Sequence, residues 1–441
     1  MNRLLRALYG GAGMLAQAVV ATGMPGDGKL ARSIRGRRGL LDRYRAFGTT
    51  GRDRQRPLVW FHAPSVGEGL QATPVMSRLR TRRPDVQQAY THFSPSAAGF
   101  AQRTGADFCD YLPFDVAAPM GVAFDALVPS ALVFSKLDVW PVLVEEAVRR
   151  RIALGMISAT LAASSGRRGG IATALTRDAH AALQAVGAID DADAARLVDI
   201  GVRPGVISIM GDTRYDQVWA RAQSAAATAP WLQRFRAAPR ITLVAGSTWP
   251  ADEAVLLRAW QELTARWPGM LRLIIAPHEP TPSHLEPIER WAVAASLRCS
   301  RLDASDAIAP TDSAADVVLV DRIGVLGDLY AVADVAFVGG GFHDAGLHSV
   351  LEPAAFGAPV VFGPRHANSR DAGLLISDRG ARAVTDGREL QSTLAAWLSP
   401  DAPAARRDAG ARARARVWNG LGAADRATEL VLSLLTVPGA Q

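Results

Sequence analysis

"PLVWFHAPSVGEGLQATPVMSRLRTRR", residues 57–83, holds one complete strand–turn–helix unit. The run PLVWFHA is short, continuous and apolar, as a strand buried on both faces must be. A Pro-Ser-Val-Gly turn follows, and GLQATPVMSRLRTRR then carries helical spacing. The pattern repeats outward. VQQAYTHFS and ALVFSK are further strands, VWPVLVEEAVRRR is a helix, and IALGMIS is the next strand. Apolar strands alternating with helices imply a parallel sheet with right-handed crossovers, a Rossmann-like α/β unit.

The alternation weakens across ATAPWLQRFRAAPR (227–240) and restarts. ITLVAGS, LRLIIAP, VVLV, DVAFVGGG and PVVFGP supply a second set of strands. Two Rossmann-like domains are therefore expected, over residues 49–228 and 238–410. Ligands of such sheets bind beyond the carboxyl ends of the strands, so the cleft between the domains is the expected site. The Arg-rich helical stretch 411–441 is expected to pack back on the first domain.

With 441 residues, each of two domains can bury its own core. The composition, 49% hydrophobic and 21% charged, is that of a folded chain. Two cysteines, Cys109 and Cys299, make neither a disulfide framework nor a cysteine-rich metal site. The net charge of +7 is uneven: up to Arg56 there are twelve basic and three acidic residues, which leaves the remainder at about −2. A chain with its basic character confined to one arm is not expected to bind nucleic acid.

That arm, residues 1–48, reads as a membrane device. Ala7 to Met24 is an uncharged stretch of 18 residues, yet it contains four glycines, Gln17 and Thr22, which suits an interfacial anchor better than a span. Lys29 to Arg45 follows with seven basic residues and one acidic residue. Leu30, Ile34, Leu40, Leu41, Tyr44 and Phe47 recur among them at near-helical spacing, a pattern suited to anionic headgroups. A cleaved signal peptide and a buried core helix are the competing readings; the dense positive charge after the run favours retention on the cytoplasmic side.

Chemistry-bearing residues gather at predicted strand ends. Glu68 follows the first strand, where it is either a first-turn cap or a reactive carboxylate. Gly339, Gly340 and Gly341 end a strand before a helix expected near Ser349, whose N-terminus would attract phosphate. Glu352, in that helix, is placed to accept hydrogen bonds from two ribose hydroxyls. Gly246, Ser247 and Thr248 end another strand, and Pro277, His278 and Glu279 a third.

The set HAPSVGE, DVWP, GDTRYDQV, AGSTWPADE, APHEP and HSVLEPAAFGAPVVFGP, in that order after a basic anchor, resembles the 3-deoxy-D-manno-octulosonic acid (Kdo) transferase family. The likeness runs from about Leu4 to Leu435. It implies the B-type glycosyltransferase fold of two facing Rossmann-like domains, and transfer of Kdo from CMP-Kdo to a lipid A precursor at the inner face of the inner membrane. It assigns Glu68 as the general base of an inverting transfer, with Ser65 and Gly67 beside it. His348, Ser349, Glu352, the three glycines, Gly246, Ser247, Thr248, Pro277 and His278 would hold the nucleotide sugar. No metal or other cofactor is expected, because helix dipoles and backbone N–H groups can stabilise one leaving phosphate.

The chain departs from the family at three places. The usual Glu-Thr-Glu-Leu-Trp-Pro reads KLDVWP, so Lys136 and Asp138 replace two acidic residues. Pro-Arg-His becomes Pro277-His278-Glu279, and His-Asn becomes His348-Ser349. Lys136 suits a substrate carboxylate or phosphate, an altered acceptor, or a non-catalytic membrane-bound relative. A B-type transferase using another nucleotide sugar is the enzymatic alternative. The number of Kdo units, the exact acceptor and the oligomeric state are not set by the sequence.

Overall fold

The computed structural model describes residues 28–436 except 163–164, 167–168, 229, 238–239 and 303–313, together with residue 26 and isolated positions between 9 and 17. The chain divides into two compact units, residues 1–217 with 421–441, and residues 218–420.

The first unit is built on seven parallel strands: β1 (Leu58–His62), β2 (Gln87–His92), β3 (Phe108–Tyr111), β4 (Ala131–Ser135), β5 (Ala153–Ala159), β6 (Ala185–Ala188) and β7 (Ile207–Ile209). Their order is β3-β2-β1-β4-β5-β6-β7. Successive residues of β1 enter opposite cores. Leu58 and Trp60 pack with Phe124, Leu132 and Phe134, and Val59 and Phe61 with Met76, Val133 and Ile157. Burial on both faces is why the strand reads as an unbroken apolar run. The order reverses between β1 and β4, and there the carboxyl ends open a crevice of the kind that binds ligands.

The helix Ala423–Leu435 belongs to this unit, packing Ala427, Leu430, Val431 and Leu434 into the second of those cores. Asp216 fixes its start by accepting the N–H groups of Gly422 (3.1 Å) and Ala424 (3.0 Å). In the same GDTRYD stretch, the Thr213 hydroxyl donates to the Gln71 carbonyl at 2.7 Å, which ties down the helix carrying Glu68.

Two helices, Lys29–Gly36 and Leu40–Thr50, precede β1. The apolar stripe expected to lie on a membrane is used by the fold. Leu40 and Tyr44 enter the core, Phe47 packs against it, and Ile34 is buried. Tyr44 meets Phe108 at 4.6 Å, and its hydroxyl donates to Tyr111 O at 3.0 Å. Leu30 and the cations Lys29, Arg32 and Arg38 face outward. The uncharged stretch from Ala7 to Met24 lies mostly outside the described residues. Of its described positions, Tyr9 donates to Asp115 Oδ2 at 2.8 Å. No described helix is long and apolar enough to cross a membrane.

The second unit also has seven parallel strands: β8 (Ile241–Thr248), β9 (Leu271–Pro277), β10 (Cys299–Arg301), β11 (Val317–Leu319), β12 (Val335–Val338), β13 (Val360–Phe362) and β14 (Ala381–Ala383). Their order is β10-β11-β9-β8-β12-β13-β14, which reverses between β8 and β12. Leu243, Leu273, Ile275 and Phe337 fill one face, and Val244, Ile274, Val318 and Ala336 the other.

Candidate functional site

In the first unit, β1 ends at His62 and the helix Val66–Arg82 begins four residues later, which puts Glu68 in its first turn. A capping glutamate here would accept a backbone N–H of the turn before it. Among the described residues Glu68 accepts none. Its Oε2 takes the Ser65 hydroxyl, and its Oε1 lies 3.6 Å from Lys136 Nζ. The Ser135 hydroxyl, at the end of β4, donates to the Glu68 carbonyl at 2.8 Å. Gly67 is exposed, and an added Cβ there would come no closer than 3.8 Å to Ser65 Oγ, so this side of the turn is open. Gly69 is closed: a Cβ there would run into Phe100 and the Tyr90 hydroxyl.

Lys136 follows β4 directly and has φ +69°, a left-handed conformation unusual for a side chain of this size. Its N–H donates to Ile157 O at 2.8 Å, so neighbouring β5 holds it there. Two residues on, Asp138 Oδ2 accepts the Trp140 indole N–H at 2.9 Å and stands 3.7 Å from His62 Nε2. The same indole N–H lies 3.2 Å from His62 Nε2. Thr91 Oγ1 accepts from Trp60 Nε1 at 2.8 Å and lies 3.1 Å from His62 Nδ1, which locks the buried imidazole. Thus Glu68 meets both Ser65 and Lys136, while Asp138 joins a second group with His62 and Trp140.

Trp140 is braced from two sides. Its ring stacks on Phe93 at 5.0 Å. Arg37, 4% exposed, places its guanidinium 4.4 Å from the Phe93 ring and donates to Phe93 O and Leu112 O. Burial lowers the Arg37 pKa to about 10. Asp115 accepts the N–H groups of Val142 (2.9 Å) and Leu143 (2.8 Å), fixing the start of the helix Pro141–Arg149 that follows the tryptophan.

In the second unit the turn after β8 is organised by Asp252, which is wholly buried. Its carboxylate accepts the N–H groups of Trp249 (3.0 Å), Gly340 (2.8 Å) and Phe342 (2.9 Å), joining the turns after β8 and β12. Ser247, with φ +54°, lies where the β8 register shifts, and the Thr248 hydroxyl donates to Glu253 Oε1 at 2.7 Å. Gly246 packs under Tyr330, whose hydroxyl occupies the space a Cβ would need.

The three glycines were expected to help hold the nucleotide sugar. The space beside each Cα is filled by the chain itself: a Cβ on Gly339 would meet the Ser247 carbonyl, one on Gly340 the Gly346 carbonyl, and one on Gly341 the backbone of Gly363. Gly340 also has φ +91°. The helix expected from Ser349 is Leu351–Phe356, fewer than two turns, so its dipole is small; Ser349 precedes it, exposed.

Aromatic rings gather around the same turns. Trp249 stacks on His343 at 4.4 Å and 6°, and lies 4.8 Å from His278, which stacks on His348 at 4.4 Å. Trp249 Nε1 donates to His348 Nε2 at 3.3 Å. Burial, with His278 and His343 alongside, lowers the His348 pKa to about 4, which keeps its ring a neutral acceptor. Pro277, buried, ends β9, and His278 N donates to Thr248 O at 2.9 Å. Glu352 lies near Tyr330, Arg221 and Asp328; burial raises its carboxyl pKa, and it accepts no hydrogen bond among the described residues.

Sequence reasoning missed Asp252, Trp249, His343, His62 and Trp140 as site builders. Asp252 carried one signal, its place three residues after Trp249 at the start of a Pro-led helix. His343 carried none. Among the described residues no group of three or more His, Cys, Asp or Glu could hold a metal ion.

The profile of the family described as "3-Deoxy-D-manno-octulosonic-acid transferase (kdotransferase)" matches residues 36–217. The chain is 30% identical to a 3-deoxy-D-manno-octulosonic acid transferase of Bordetella pertussis over 385 residues, 84% of this chain and 86% of that one. It is 27% identical to the Haemophilus influenzae protein of the same description over 348 residues, 76% and 77% of the two chains. Among solved structures, a UDP-GlcNAc 2-epimerase from Neisseria meningitidis superposes with a TM-score of 0.60 at 14% identity, covering 86% of this chain and all of that one. That likeness is one of fold, the paired Rossmann-like architecture of B-type glycosyltransferases.

Proposed function

Because the chain belongs to the 3-deoxy-D-manno-octulosonic acid transferase family, and is thus a glycosyltransferase, we propose that it moves Kdo from CMP-Kdo to a lipid A precursor, with Glu68 as general base. The observation that carries this reading is the state of Glu68. It stands at the switch point of the first sheet, accepts no backbone N–H among the described residues, and is held by one hydroxyl and one cation.

In the reaction, an acceptor hydroxyl attacks the anomeric carbon of Kdo as the bond from that carbon to the CMP phosphate oxygen breaks. The hydroxyl proton passes to Glu68, and the configuration inverts. Lys136, 42% exposed, keeps ammonium N–H donors for an anionic substrate group while it faces the carboxylate. Asp138, with His62 and Trp140, shapes the wall beside it. In the second unit His348, Ser349, His278 and the Ser247–Thr248 turn contact the nucleotide, with the Gly246 and Gly339–Gly341 backbones shaping the turns. Glu352, with no hydrogen bond of its own among the described residues, takes the ribose hydroxyls. The outward cations Lys29, Arg32 and Arg38 support peripheral association with the inner membrane.

Glu68→Gln tests the base. Turnover is expected to fall about 10² to 10⁴-fold, with CMP binding kept. Near-normal turnover removes Glu68 from the mechanism. The Lys136–Glu68 ion pair also favours a second reading, a relative in which the base is silenced. Absence of product from CMP-Kdo and lipid IV-A, under conditions where CMP still binds, selects it.

A further inference from the structure

The basic arm does not end with the helices that precede the first sheet. Its last three arginines, Arg52, Arg54 and Arg56, lie with Arg150 around a hollow of about 760 Å³. Pro57, Ser130 and Ile152, the residues just before β1, β4 and β5, line it as well. The hollow is therefore at the amino-terminal edge of the sheet. Glu68 and Lys136 follow the carboxyl ends of β1 and β4, about 16 Å away along a five-residue strand. The volume falls within the range of small-molecule sites, roughly 300–1,000 Å³.

Its chemistry is one-sided. Asp125, 74% exposed, is the one acidic residue in the lining, against four guanidinium groups. Arg52 is immobilised: it donates to Leu127 O (2.6 Å), Val128 O (3.0 Å), Arg56 O (2.8 Å), Asp53 O and Gln87 Oε1 (2.9 Å), neutral oxygens in every case. Burial foremost lowers its pKa; the Arg54 and Arg56 charges add to this, and Asp53 and Asp107 oppose it. Arg56 is likewise held by carbonyls, those of Asp85 (2.8 Å) and Pro84 (2.9 Å). Arg150 pairs with Asp125 and Glu146 and lies 5.3 Å over the Phe124 ring. Arg54 is exposed and has no hydrogen bond or ion pair among the described residues. Carbonyl oxygens fix guanidinium groups without cancelling their charge, so an entering anion meets a preset cationic wall and loses little to side-chain ordering. Phe124, Val128, Pro129 and Ile152 supply an apolar floor.

We propose that this hollow is a binding site for a phosphate-bearing molecule, separate from the Glu68 site. Planar guanidinium forks favour phosphate oxygens, and the apolar floor takes the body of the molecule that carries them. A soluble phosphate ester and a lipid headgroup share this chemistry.

The full-length protein is titrated calorimetrically with inorganic pyrophosphate at physiological salt, and in parallel co-sedimented with phosphatidylcholine vesicles with and without phosphatidylglycerol. The same is done with the Arg54→Gln/Arg56→Gln double variant and with Asp125→Asn. Saturable pyrophosphate binding is expected, weakened about tenfold or more in the double variant and tightened in Asp125→Asn. Tighter binding cannot come from misfolding. Pyrophosphate binding alone with this pattern identifies a soluble ligand, and arginine-dependent binding to the phosphatidylglycerol vesicles identifies a headgroup. Binding that neither variant alters, or no binding to either probe, overturns the proposal.

Discussion

Lys136 Nζ lies 3.6 Å from Glu68 Oε1, and the two residues follow strands that are direct parallel neighbours, β4 and β1. The cation stands at the switch point of the first sheet, beside the carboxylate. With Lys136 42% and Glu68 19% exposed, the pair contributes little to stability. Its weight falls on how the site receives charge. Lys136→Met is expected to raise KM for the anionic substrate about tenfold with a smaller effect on kcat. Lys136→Glu, which sets a second carboxylate beside Glu68, is expected to raise KM further, and Lys136→Arg to keep most activity. Steady-state kinetics on the three variants checks this. Higher activity in Lys136→Glu than in the parent chain refutes it.

Trp140 offers a cleaner separation of packing from hydrogen bonding. Trp140→Phe keeps an aromatic ring on Phe93 but removes the N–H that reaches Asp138 (2.9 Å) and His62 (3.2 Å). Leaving those acceptors without their donor costs about 1–3 kcal/mol. If Trp140 positions Asp138, kcat falls about five- to fiftyfold while KM holds. A purely structural role predicts a lower Tm with kcat unchanged.

Most of the fold was legible because the central strands are buried on both faces. β1, β4, β5, β8, β9, β11, β12 and β13 each show an apolar run that no solvated segment needs, whereas β2, QQAYTH, is buried with four polar side chains. The strands that escaped are short: FCDY (β3), AVGA (β6), ISI (β7), CSR (β10) and ARA (β14), three or four residues at or next to a sheet edge. Their pairing is set by the neighbouring strand, not by their own composition. In the candidate site, Glu68 was legible because it follows a predicted strand, whereas Ser65 and Lys136 came only from the family resemblance. Asp252 was not legible, because two of the three N–H groups it accepts lie 88 and 90 residues away. At the glycines a sequence shows that a Cβ is missing, not what fills the space, which here is backbone.

Asp252 is accordingly the residue on which the second candidate site should depend most. Asp252→Ala leaves the N–H groups of Trp249, Gly340 and Phe342 without their buried acceptor, at roughly 1–3 kcal/mol each. The second unit is expected to lose at least about 3 kcal/mol, read from urea unfolding followed by tryptophan fluorescence. Asp252→Asn, with one acceptor oxygen, should fall between. Gly340→Ala is a companion, since φ +91° and the Gly346 carbonyl both oppose the added methyl group. CMP binding should weaken in all three variants. An Asp252→Ala protein of unchanged stability would show that the staple carries no net weight.

His92 gives the fold a pH dependence whose sign can be worked out. Its ring is 2% exposed, lies 4.2 Å from Tyr111, and has Nδ1 3.0 Å from Ser94 O. Burial lowers its pKa to about 4, with Arg37 and His62 adding to the effect and the Ser94 bond and Asp110 opposing it. The unfolded chain, with a histidine pKa of about 6.5, therefore binds a proton between about pH 6.5 and 4 that the folded chain refuses. Stability from this group is complete above about pH 6.5 and is lost as pH falls toward 4. His348 acts in the same direction in the second unit. The carboxyls of Asp115, Glu253 and Glu352, raised by burial, take up protons in the folded state and oppose the trend. The difference between the parent and His92→Gln isolates the histidine. Glutamine keeps an amide N–H for Ser94 O and cannot titrate, so its urea midpoint should decline less between pH 7 and 4.5. Identical pH slopes for the two proteins would mean that His92 is protonated as easily folded as unfolded.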